Sequence, residues 1–200
     1  MIDKLQQFIR QNPRLLVLTG AGISTASGIP DYRDEKGAWK LQKPMTFAEF
    51  TGSHRARQHY WARSALGWPR FDRAQPNEAH QALAELESLG FIETLITQNV
   101  DRLHHLAGHN KVIDLHGLLH EVACLDCGAI MHRQQMQHAL IKANPALTDI
   151  QVREAPDGDV QLEYFDFASM VIPKCKGCDG VLKPNVVFFG ENVPRLRVEL

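Results

Sequence analysis

The chain has 200 residues, of which 44% are hydrophobic and 22% are charged, a composition that is ordinary for a globular protein with a substantial core. Its net charge of −1 gives no general attraction to nucleic acid or to an anionic membrane surface. No stretch of the sequence reaches the roughly 18 uninterrupted apolar residues of a membrane-spanning helix. We therefore expect neither nucleic acid nor a membrane as a partner.

The first residues predict a short amphipathic helix, because Leu5, Phe8 and Ile9 share one helical face and Pro13 follows its end. This beginning lacks the apolar region of a signal peptide and the Arg- and Ser-rich composition of a transit peptide. We expect a cytoplasmic protein, and in that compartment cysteines are more often metal ligands than disulfide partners.

The stretch from Leu15 to Leu18 is an apolar run that predicts a buried strand of a parallel sheet. It leads into Gly20-Ala21-Gly22, and Ser24 follows. A strand, a glycine turn and the start of a helix direct free backbone N–H groups toward phosphate. We expect Gly20 and Gly22 to be needed for an unusual backbone conformation and for close approach of a ligand.

A carboxylate, an aromatic ring and a guanidinium come soon after this loop, at Asp31, Tyr32 and Arg33. A loop that only connected a strand to a helix would not need all three groups. These residues therefore predict a ligand-binding segment beside the phosphate loop.

Two helices are predicted between the glycine loop and the next strand. The first covers 47–66, contains Tyr60, and is ended by Gly67-Trp68-Pro69. The second begins at Pro76 and stops at Gly90, and it carries an apolar stripe of Ala79, Leu83 and Leu86.

Short apolar runs at 91–96 and 112–115 predict two further strands, and a helix between apolar strands is typical of a parallel α/β sheet. Gln98, Asn99 and Asp101 follow the first of these strands. They predict a cofactor site at the carboxyl edge of the sheet. Asn and Asp in loops are also common turn formers, which remains an alternative for each residue taken alone.

His116 follows the second of these strands and precedes Gly117, so it should project at the same edge. A histidine exchanges a proton near neutral pH, which makes His116 a candidate general base. The alternative is a structural role, which is the more common one for a lone histidine. His104, His105 and His120 are expected in helices or in packing.

The four cysteines form two C-x-x-C pairs. Two such pairs complete a tetrahedral Zn²⁺ site with four thiolates, which leaves no open coordination position. We therefore expect a structural zinc that holds together an inserted module, the alternative being two redox or coincidental pairs. The proposed ligands are Cys124, Cys127, Cys175 and Cys178.

Residues 181–189 return to the character of an apolar strand. Val186 and Phe188 are expected in the core, and Val187 and Phe189 on the opposite face, toward a groove or a bound peptide.

These motifs, in this order and at these spacings, resemble the sirtuins, the Sir2 family. The match rests on seven segments along nearly the whole chain: Gly20-Ala21-Gly22-Ile23-Ser24, Gly28-Ile29-Pro30-Asp31-Tyr32-Arg33, Thr97-Gln98-Asn99-Val100-Asp101, His116-Gly117, the two cysteine pairs, and Val187-Phe188-Phe189-Gly190-Glu191. Tyr32, Tyr60-Trp61-Ala62-Arg63 and Gly67-Trp68-Pro69 are similar to class II, the group of the mitochondrial sirtuin four. Without a transit peptide, a bacterial member is expected.

The resemblance implies an α/β fold with a Rossmann-like parallel sheet, a small zinc-binding module and a helical module. The expected bounds are 1–40, 76–120 and 181–200 for the Rossmann-like domain, 41–75 for the helical module and 121–180 for the zinc module. In the family the Rossmann-like domain continues well past Glu191. This chain is therefore expected to be truncated at its C-terminus, with an incomplete sheet and without half of the adenosine site.

The activity that the resemblance implies is NAD-dependent removal of acyl groups from protein lysines, which gives nicotinamide and an O-acyl-ADP-ribose. His116 is the implied base on a ribose hydroxyl. Val187, Phe188, Phe189, Gly190 and Glu191 form the implied substrate strand. The residues implied in NAD binding are Gly20, Ala21, Gly22, Ser24, Ile29, Asp31, Tyr32, Arg33, Gln98, Asn99 and Asp101.

Two alternatives remain beside this interpretation: ADP-ribosyl transfer to protein, and an inactive fragment that binds NAD or acyl peptide. The acyl group is also open. Tyr60 and Arg63 share one helical face, and class III sirtuins use a similar pair to bind acidic acyl groups. The alternative is a packed tyrosine and a solvated arginine.

Overall fold

In a computed structural model of the chain, which describes residues 2–31, 36–38, 44–150 and 166–199, the first apolar run forms a strand of a parallel sheet. Strand β1 (Leu15–Thr19) pairs with β2 (Ile92–Thr97), and β2 pairs with β3 (Val112–Asp114). All three strands run in the same direction, so the predicted α/β class with a parallel sheet is confirmed.

The register of this sheet aligns the ends of the three strands. Thr19 lies opposite Thr97, and Thr97 lies opposite Asp114. The polar loops that follow the strands therefore begin side by side.

A second, antiparallel sheet begins where the first one ends. Strand β4 (Gly117–Cys124) starts three residues after β3 and pairs with both β5 (Ile130–His132) and β6 (Leu182–Val186). The strand expected over 181–189 is shorter than predicted, because β6 ends at Val186 and leaves 187–191 outside it, and it joins β4 rather than the parallel sheet. The expected domain bounds stay a prediction.

The helices lie between and beside these strands. None of the described helices is both long enough and apolar enough to cross a membrane. The α-helices are α1 (Ile2–Gln11), α2 (Phe47–Gly52), α3 (His54–Asp72), α4 (Glu78–Ser88), α5 (Leu103–Leu106) and α6 (Arg133–Ala143). Short 3₁₀ helices cover Ala21–Ser27, Pro145–Asp149, Phe167–Ser169 and Arg195–Arg197.

Described residues cover only one face of β1. Helix α4 packs against β2, whereas Leu16 and Leu18 are 67% and 63% exposed. The expectation of a strand buried on both faces was wrong for the described part of the chain, because alternate side chains of a strand point to opposite faces and only one is packed. Leu5 and Phe8, the apolar face of α1, are likewise exposed.

A core of apolar side chains joins α2, α3 and α6 to the antiparallel sheet. Phe50, Trp61, Met136 and Leu140 are fully buried in it. The indole Nε1 of Trp61 donates to the carbonyl of Leu182 at 3.3 Å. The expected helical module and the cysteine-bearing strands therefore share one packed interior.

Helix α3 does not stop at Gly67-Trp68-Pro69 but continues to Asp72, with Pro69 inside it. The predicted end was wrong. Proline lacks the N–H that would bond the carbonyl four residues earlier, here that of Ala65. The side-chain amide of Gln137 on α6 donates to this carbonyl at 2.7 Å. A tertiary contact thus supplies the bond that Pro69 removes.

Three buried histidines pack under the loop edge of the parallel sheet. The ring of His104 lies between those of His80 and His109, tilted to the first and edge-on to the second, with ring centroids 4.8 and 5.2 Å away. Its Nε2 bonds the hydroxyl of Thr19 at 2.9 Å. Burial, followed by the neighbouring imidazoles, lowers the pKa of His104 to about 3. Burial also lowers the pKa of His80. The packing expected for His104 is confirmed, and these two imidazoles are neutral at neutral pH.

We expect Gln137→Leu to destabilise the protein by about 1–3 kcal/mol, because it leaves the buried Ala65 carbonyl without a donor. In a Pro69→Ala background the backbone gains an N–H at position 69 that can bond this carbonyl, so the loss should be smaller there. Urea unfolding of the four proteins measures this coupling. Gln135→Leu, at an exposed position of α6, is the control. Equal losses in both backgrounds would contradict the explanation of the continuous helix.

We also expect stability to fall as the pH falls from about 7 toward 5. In this range His104 and His80 take up protons in the unfolded chain but stay neutral in the folded protein. The lowered pKa values mean that this stability is complete above the ordinary value of 6.5 and is lost below it, down to about 3 for His104. Urea unfolding midpoints across this range measure the slope.

His104→Gln keeps an amide that can bond Thr19 but does not titrate, so its slope should be smaller than that of the wild type. His138→Gln, at an exposed position of α6, should keep the wild-type slope. An unchanged slope in His104→Gln would contradict the assignment.

Candidate active site

The three loops at the carboxyl edge of the parallel sheet are bonded to one another through the backbone. The N–H of Gln98 donates to the carbonyl of Thr19 at 3.0 Å, and the N–H of Leu115 donates to that of Thr97 at 2.9 Å. The loops after β1, β2 and β3 therefore form one continuous edge.

A buried polar network connects the first two loops. The hydroxyl of Ser24 donates to Asp101 Oδ2 at 2.6 Å, and Asn99 Nδ2 donates to the Ser24 hydroxyl at 3.0 Å and to the Gly20 carbonyl at 3.1 Å. Ser24, Asn99 and Asp101 are 1%, 9% and 5% exposed. The sequence predicted these residues as cofactor contacts, and the structure brings them together.

Asp101 also fixes the chain that follows it. Its Oδ1 accepts a hydrogen bond from the N–H of Leu103 at 2.9 Å, at the start of α5. The same carboxylate therefore holds the glycine loop through Ser24 and begins the helix that carries His104. Because both of its oxygens accept hydrogen bonds from fixed donors, this network is pre-organised rather than mobile.

The unusual backbone expected at Gly20 and Gly22 is absent. Gly20 is extended, with φ −140° and ψ −172°, and Gly28, at the end of the 3₁₀ helix, is the residue with φ +82°. The loop passes directly into a 3₁₀ turn, which needs only negative φ values. A Cβ would meet nothing within 4 Å at Gly22, and only Gln98 Oε1 at 4.0 Å at Gly20. The space next to both glycines is therefore open to a ligand.

The remaining residues predicted for the cofactor lie around this opening. Ala21, Ile29 and Asp31 are half-buried, and Gln98 is exposed. Tyr32 and Arg33 lie outside the described residues.

Sequence reasoning missed Asn77, which anchors the glycine loop from outside. It caps α4, and its Nδ2 donates to the Ile23 carbonyl at 2.7 Å and to the Ser27 hydroxyl at 3.0 Å. An asparagine before Glu78-Ala79 is a recognisable helix cap. Its second role, holding the glycine loop, has no signal in the sequence.

His116 is half-buried and lies in the short connection from β3 to β4, where the two sheets meet. Its Nδ1 is 2.9 Å from the carbonyl oxygen of Gln98. Since a carbonyl can only accept, Nδ1 must carry a proton, and in the neutral imidazole Nε2 is then left with a free lone pair. This tautomer is the one that a general base requires.

The predicted substrate segment begins next to His116. The N–H of Val187 donates to the His116 carbonyl at 2.9 Å, and the Phe189 carbonyl accepts from the N–H of Phe47 at 2.9 Å. Phe188 is 8% exposed and Phe189 43%. The predicted alternation of buried and outward-facing side chains is confirmed.

Tyr60 on α3 lies against this segment. Its ring centroid is 5.3 Å from that of Phe188 and 5.4 Å from that of Phe50. Arg63 is half-buried one turn further along the helix, and together with Arg55 it contributes, after burial, to lowering the pKa of His59. The structure thus brings Tyr60 to the substrate segment and leaves a positively charged helix face beside it.

The four cysteines converge as predicted. Their sulfur atoms all lie within 4.8 Å of one another, and the Cys124–Cys178 and Cys127–Cys175 sulfurs are 3.5 and 3.7 Å apart. A tetrahedral zinc with Zn–S bonds of about 2.3 Å requires sulfurs about 3.8 Å apart. The residues present therefore fit a zinc ion with four thiolate ligands.

Two further observations support this fit. Hydrogen bonding from the backbone, of Cys127 first, lowers the pKa of Cys124 to about 7, which favours the thiolate form that binds a metal. A Cβ at Gly180 would collide with the Asp126 carboxylate and lie 2.9 Å from Cys124 Sγ. The backbone at Gly180 therefore leaves no room for a side chain next to the sulfur of Cys124.

Comparison with known proteins places this geometry in a family. The model of the Sir2 family matches residues 20–199. An NAD-dependent protein deacetylase of Xanthomonas axonopodis pv. citri (strain 306) is 57% identical over 195 residues, which cover 98% of this chain and 67% of the relative. NAD-dependent protein deacetylase 2 of Bradyrhizobium diazoefficiens is 54% identical over 193 residues, or 96% of this chain and 71% of the relative.

Solved structures agree with these relatives. A Sir2 with a p53 peptide and NAD⁺ has a TM-score of 0.72 at 32% identity, covering 100% of this chain and 68% of that one. A Sir2 in complex with the inhibitor EX-527, 2′-O-acetyl-ADP-ribose and a deacetylated p53 peptide has a TM-score of 0.73 at 30% identity, covering 98% and 67%. The chain belongs to the Sir2 family.

Proposed function

We propose that this chain is an NAD-dependent protein-lysine deacetylase, with His116 as its general base. One observation carries the proposal: the bond from His116 Nδ1 to the Gln98 carbonyl leaves Nε2 as a proton acceptor at the edge where the three sheet loops meet. Bacterial relatives that are more than 50% identical to the chain are named NAD-dependent protein deacetylases.

The residues around the glycine loop fit NAD. The open space beside Gly20 and Gly22 and the buried network of Ser24, Asn99 and Asp101 support a site in which phosphate faces backbone N–H groups. When bound, NAD supplies the ribose carbon that receives the acyl oxygen and nicotinamide as the leaving group. Ile29 and Asp31 are proposed at the nicotinamide end, and Gln98 and Asn99 at its ribose.

In this proposal the residues of the chain position NAD and the acyl-lysine peptide and move one proton. His116 Nε2 is proposed to take a proton from a ribose hydroxyl, while Nδ1 keeps its own proton on the Gln98 carbonyl. The backbone bond between Val187 and the His116 carbonyl ties the peptide segment to the base. Acyl-lysine and base would therefore be held by two segments that are bonded to each other directly.

Zinc is proposed to be structural, because four thiolates leave no open coordination position. It would join the loop after β4 to the loop before β6. We also propose a cytoplasmic location, where thiols stay reduced and remain available as metal ligands.

For the acyl group, we propose that Tyr60 and Arg63 allow acidic acyl groups in addition to acetyl. Tyr60 contacts the ring of Phe188 in the substrate segment, and the basic residues Arg55 and Arg63 act together on His59. A positively charged side chain beside the bound acyl group would favour a carboxylate at the end of the acyl chain.

We expect His116→Asn to lower the rate of deacetylation of an acetyl-lysine peptide at least about 100-fold, because the variant lacks a general base. The Asn amide can still donate to the Gln98 carbonyl, so the fold should survive. Free lysine peptide and nicotinamide are measured by mass spectrometry, and folding by circular dichroism.

His138→Asn, at an exposed position of α6, is the matched control and should keep full activity. Turnover by His116→Asn at the wild-type rate would contradict the proposed function. Covalent labelling of protein by NAD without loss of acetyl from the peptide would contradict it as well.

We expect Arg63→Met to lower kcat/KM for a glutaryl-lysine peptide about 10- to 100-fold, the loss of one charged hydrogen bond. The value for the acetyl-lysine peptide should change little. Lys142→Met, at an exposed position of α6, is the control. An equal fall for both peptides would reject Arg63 as a determinant of acyl selectivity.

A further inference from the structure

Lys183 is a buried lysine that neither the sequence motifs nor the proposed mechanism uses. We propose that it positions the peptide-binding segment by holding the carboxylate of Glu191, which in turn closes the turn at Phe188–Glu191. The inference rests on the proposed function, because it concerns how the same site holds its peptide.

The ammonium group of Lys183 has several partners in the interior. The residue is 4% exposed, and Nζ donates to the carbonyls of Val186 at 2.6 Å and Pro184 at 3.3 Å. Nζ also forms an ion pair with Glu191 Oε2 at 2.9 Å. It lies 4.7 Å from the ring centroid of Phe188 and 5.7 Å from that of Phe47. Lys183 thus contacts the residue that precedes the segment, Val186, and the last residue of the segment, Glu191.

Glu191 transmits this contact to the backbone. The same Oε2 that bonds Lys183 accepts the N–H of Phe188 at 2.8 Å, and the N–H of Glu191 donates to the Phe188 carbonyl at 3.0 Å. Gly190 has φ +78°, as the third residue of a type II turn requires. Two hydrogen bonds therefore close the turn: one from the Phe188 N–H to the Glu191 carboxylate, and one from the Glu191 N–H to the Phe188 carbonyl.

The geometry of this turn decides where the substrate segment lies. Phe188 is fixed inward against Phe50, with ring centroids 5.2 Å apart, and Phe189 is turned outward. If the turn loosened, the outward residues would lose their alignment with the peptide. The residues proposed for NAD lie on the loops after β1 and β2, whereas Lys183 lies on β6. The defect should therefore fall on peptide binding.

Removing Lys183 leaves a carboxylate without its partner, and removing Glu191 leaves an ammonium group without its partner. The side chain of Glu191 is 22% exposed, whereas that of Lys183 is 6% exposed. Without Lys183, the carboxylate can still reach water. Without the carboxylate, a buried ammonium keeps only carbonyl partners, which is the more damaging loss. Lys183→Met, which fills the same apolar space, is therefore the variant that preserves the fold.

The test measures KM for peptide and for NAD separately. We expect Lys183→Met to raise the peptide KM about tenfold, equivalent to the loss of one charged hydrogen bond, with the NAD KM within about twofold of wild type. Lys183→Arg, which keeps the charge, should recover part of the effect. Lys142→Met, at an exposed position of α6, should match the wild type.

Amide hydrogen exchange provides a readout that does not depend on activity. Exchange at Phe188 should be about tenfold faster in Lys183→Met, since the carboxylate that holds its N–H is freed. Equal changes in both KM values, or unchanged exchange at Phe188, would overturn the inference. A wild-type chain without turnover would contradict the proposed function, and the exchange rate would then test the role of Lys183 by itself.

Discussion

The register of the parallel sheet is the constraint on which the rest of the site depends. Because Thr19, Thr97 and Asp114 stand side by side, the three following loops begin at one level and bond one another through their backbones. A slip of one residue would turn each side chain to the other face of its strand. Ser24, Asn99 and Asp101 would then no longer meet, and the Gln98 carbonyl would no longer lie next to His116.

The junction between the two sheets is the second constraint. His116 and Gly117 lead from the parallel sheet into the antiparallel one, and Gly117 has φ +79°. A Cβ there would collide with the carbonyl of Asn185 and with the guanidinium of Arg197. Glycine is thus required next to the base, because β6 passes so close that no side chain fits. This close contact also sets the distance between the base and the peptide segment.

Polar side chains repeatedly bond backbone N–H and carbonyl groups that the regular helix and strand pattern leaves unpaired. Gln137 bonds the carbonyl that Pro69 leaves unpaired, and Glu191 bonds the N–H of Phe188 at the peptide turn. Asn77 does the same for the carbonyl of Ile23 in the glycine loop. In each case a polar side chain fixes an irregular piece of backbone, from another element for Gln137 and Asn77 and from within the turn for Glu191, since buried polar groups must be paired. These irregular pieces adjoin the proposed cofactor and peptide sites.

The sequence by itself determined the class of fold, the four cysteine ligands and the candidate base. Each of these follows from local patterns: apolar runs, C-x-x-C spacing, and polar residues after strands. It also predicted that Phe188 is buried and Phe189 exposed, and this alternation holds although β6 already ends at Val186. Only the tertiary structure decided the tautomer of His116, the continuation of α3 through Pro69, the extended backbone at Gly20 and the burial of Lys183. All four depend on atoms that are distant in sequence, such as the Gln98 carbonyl for His116 and the Gln137 amide for Pro69. No local propensity contains that information.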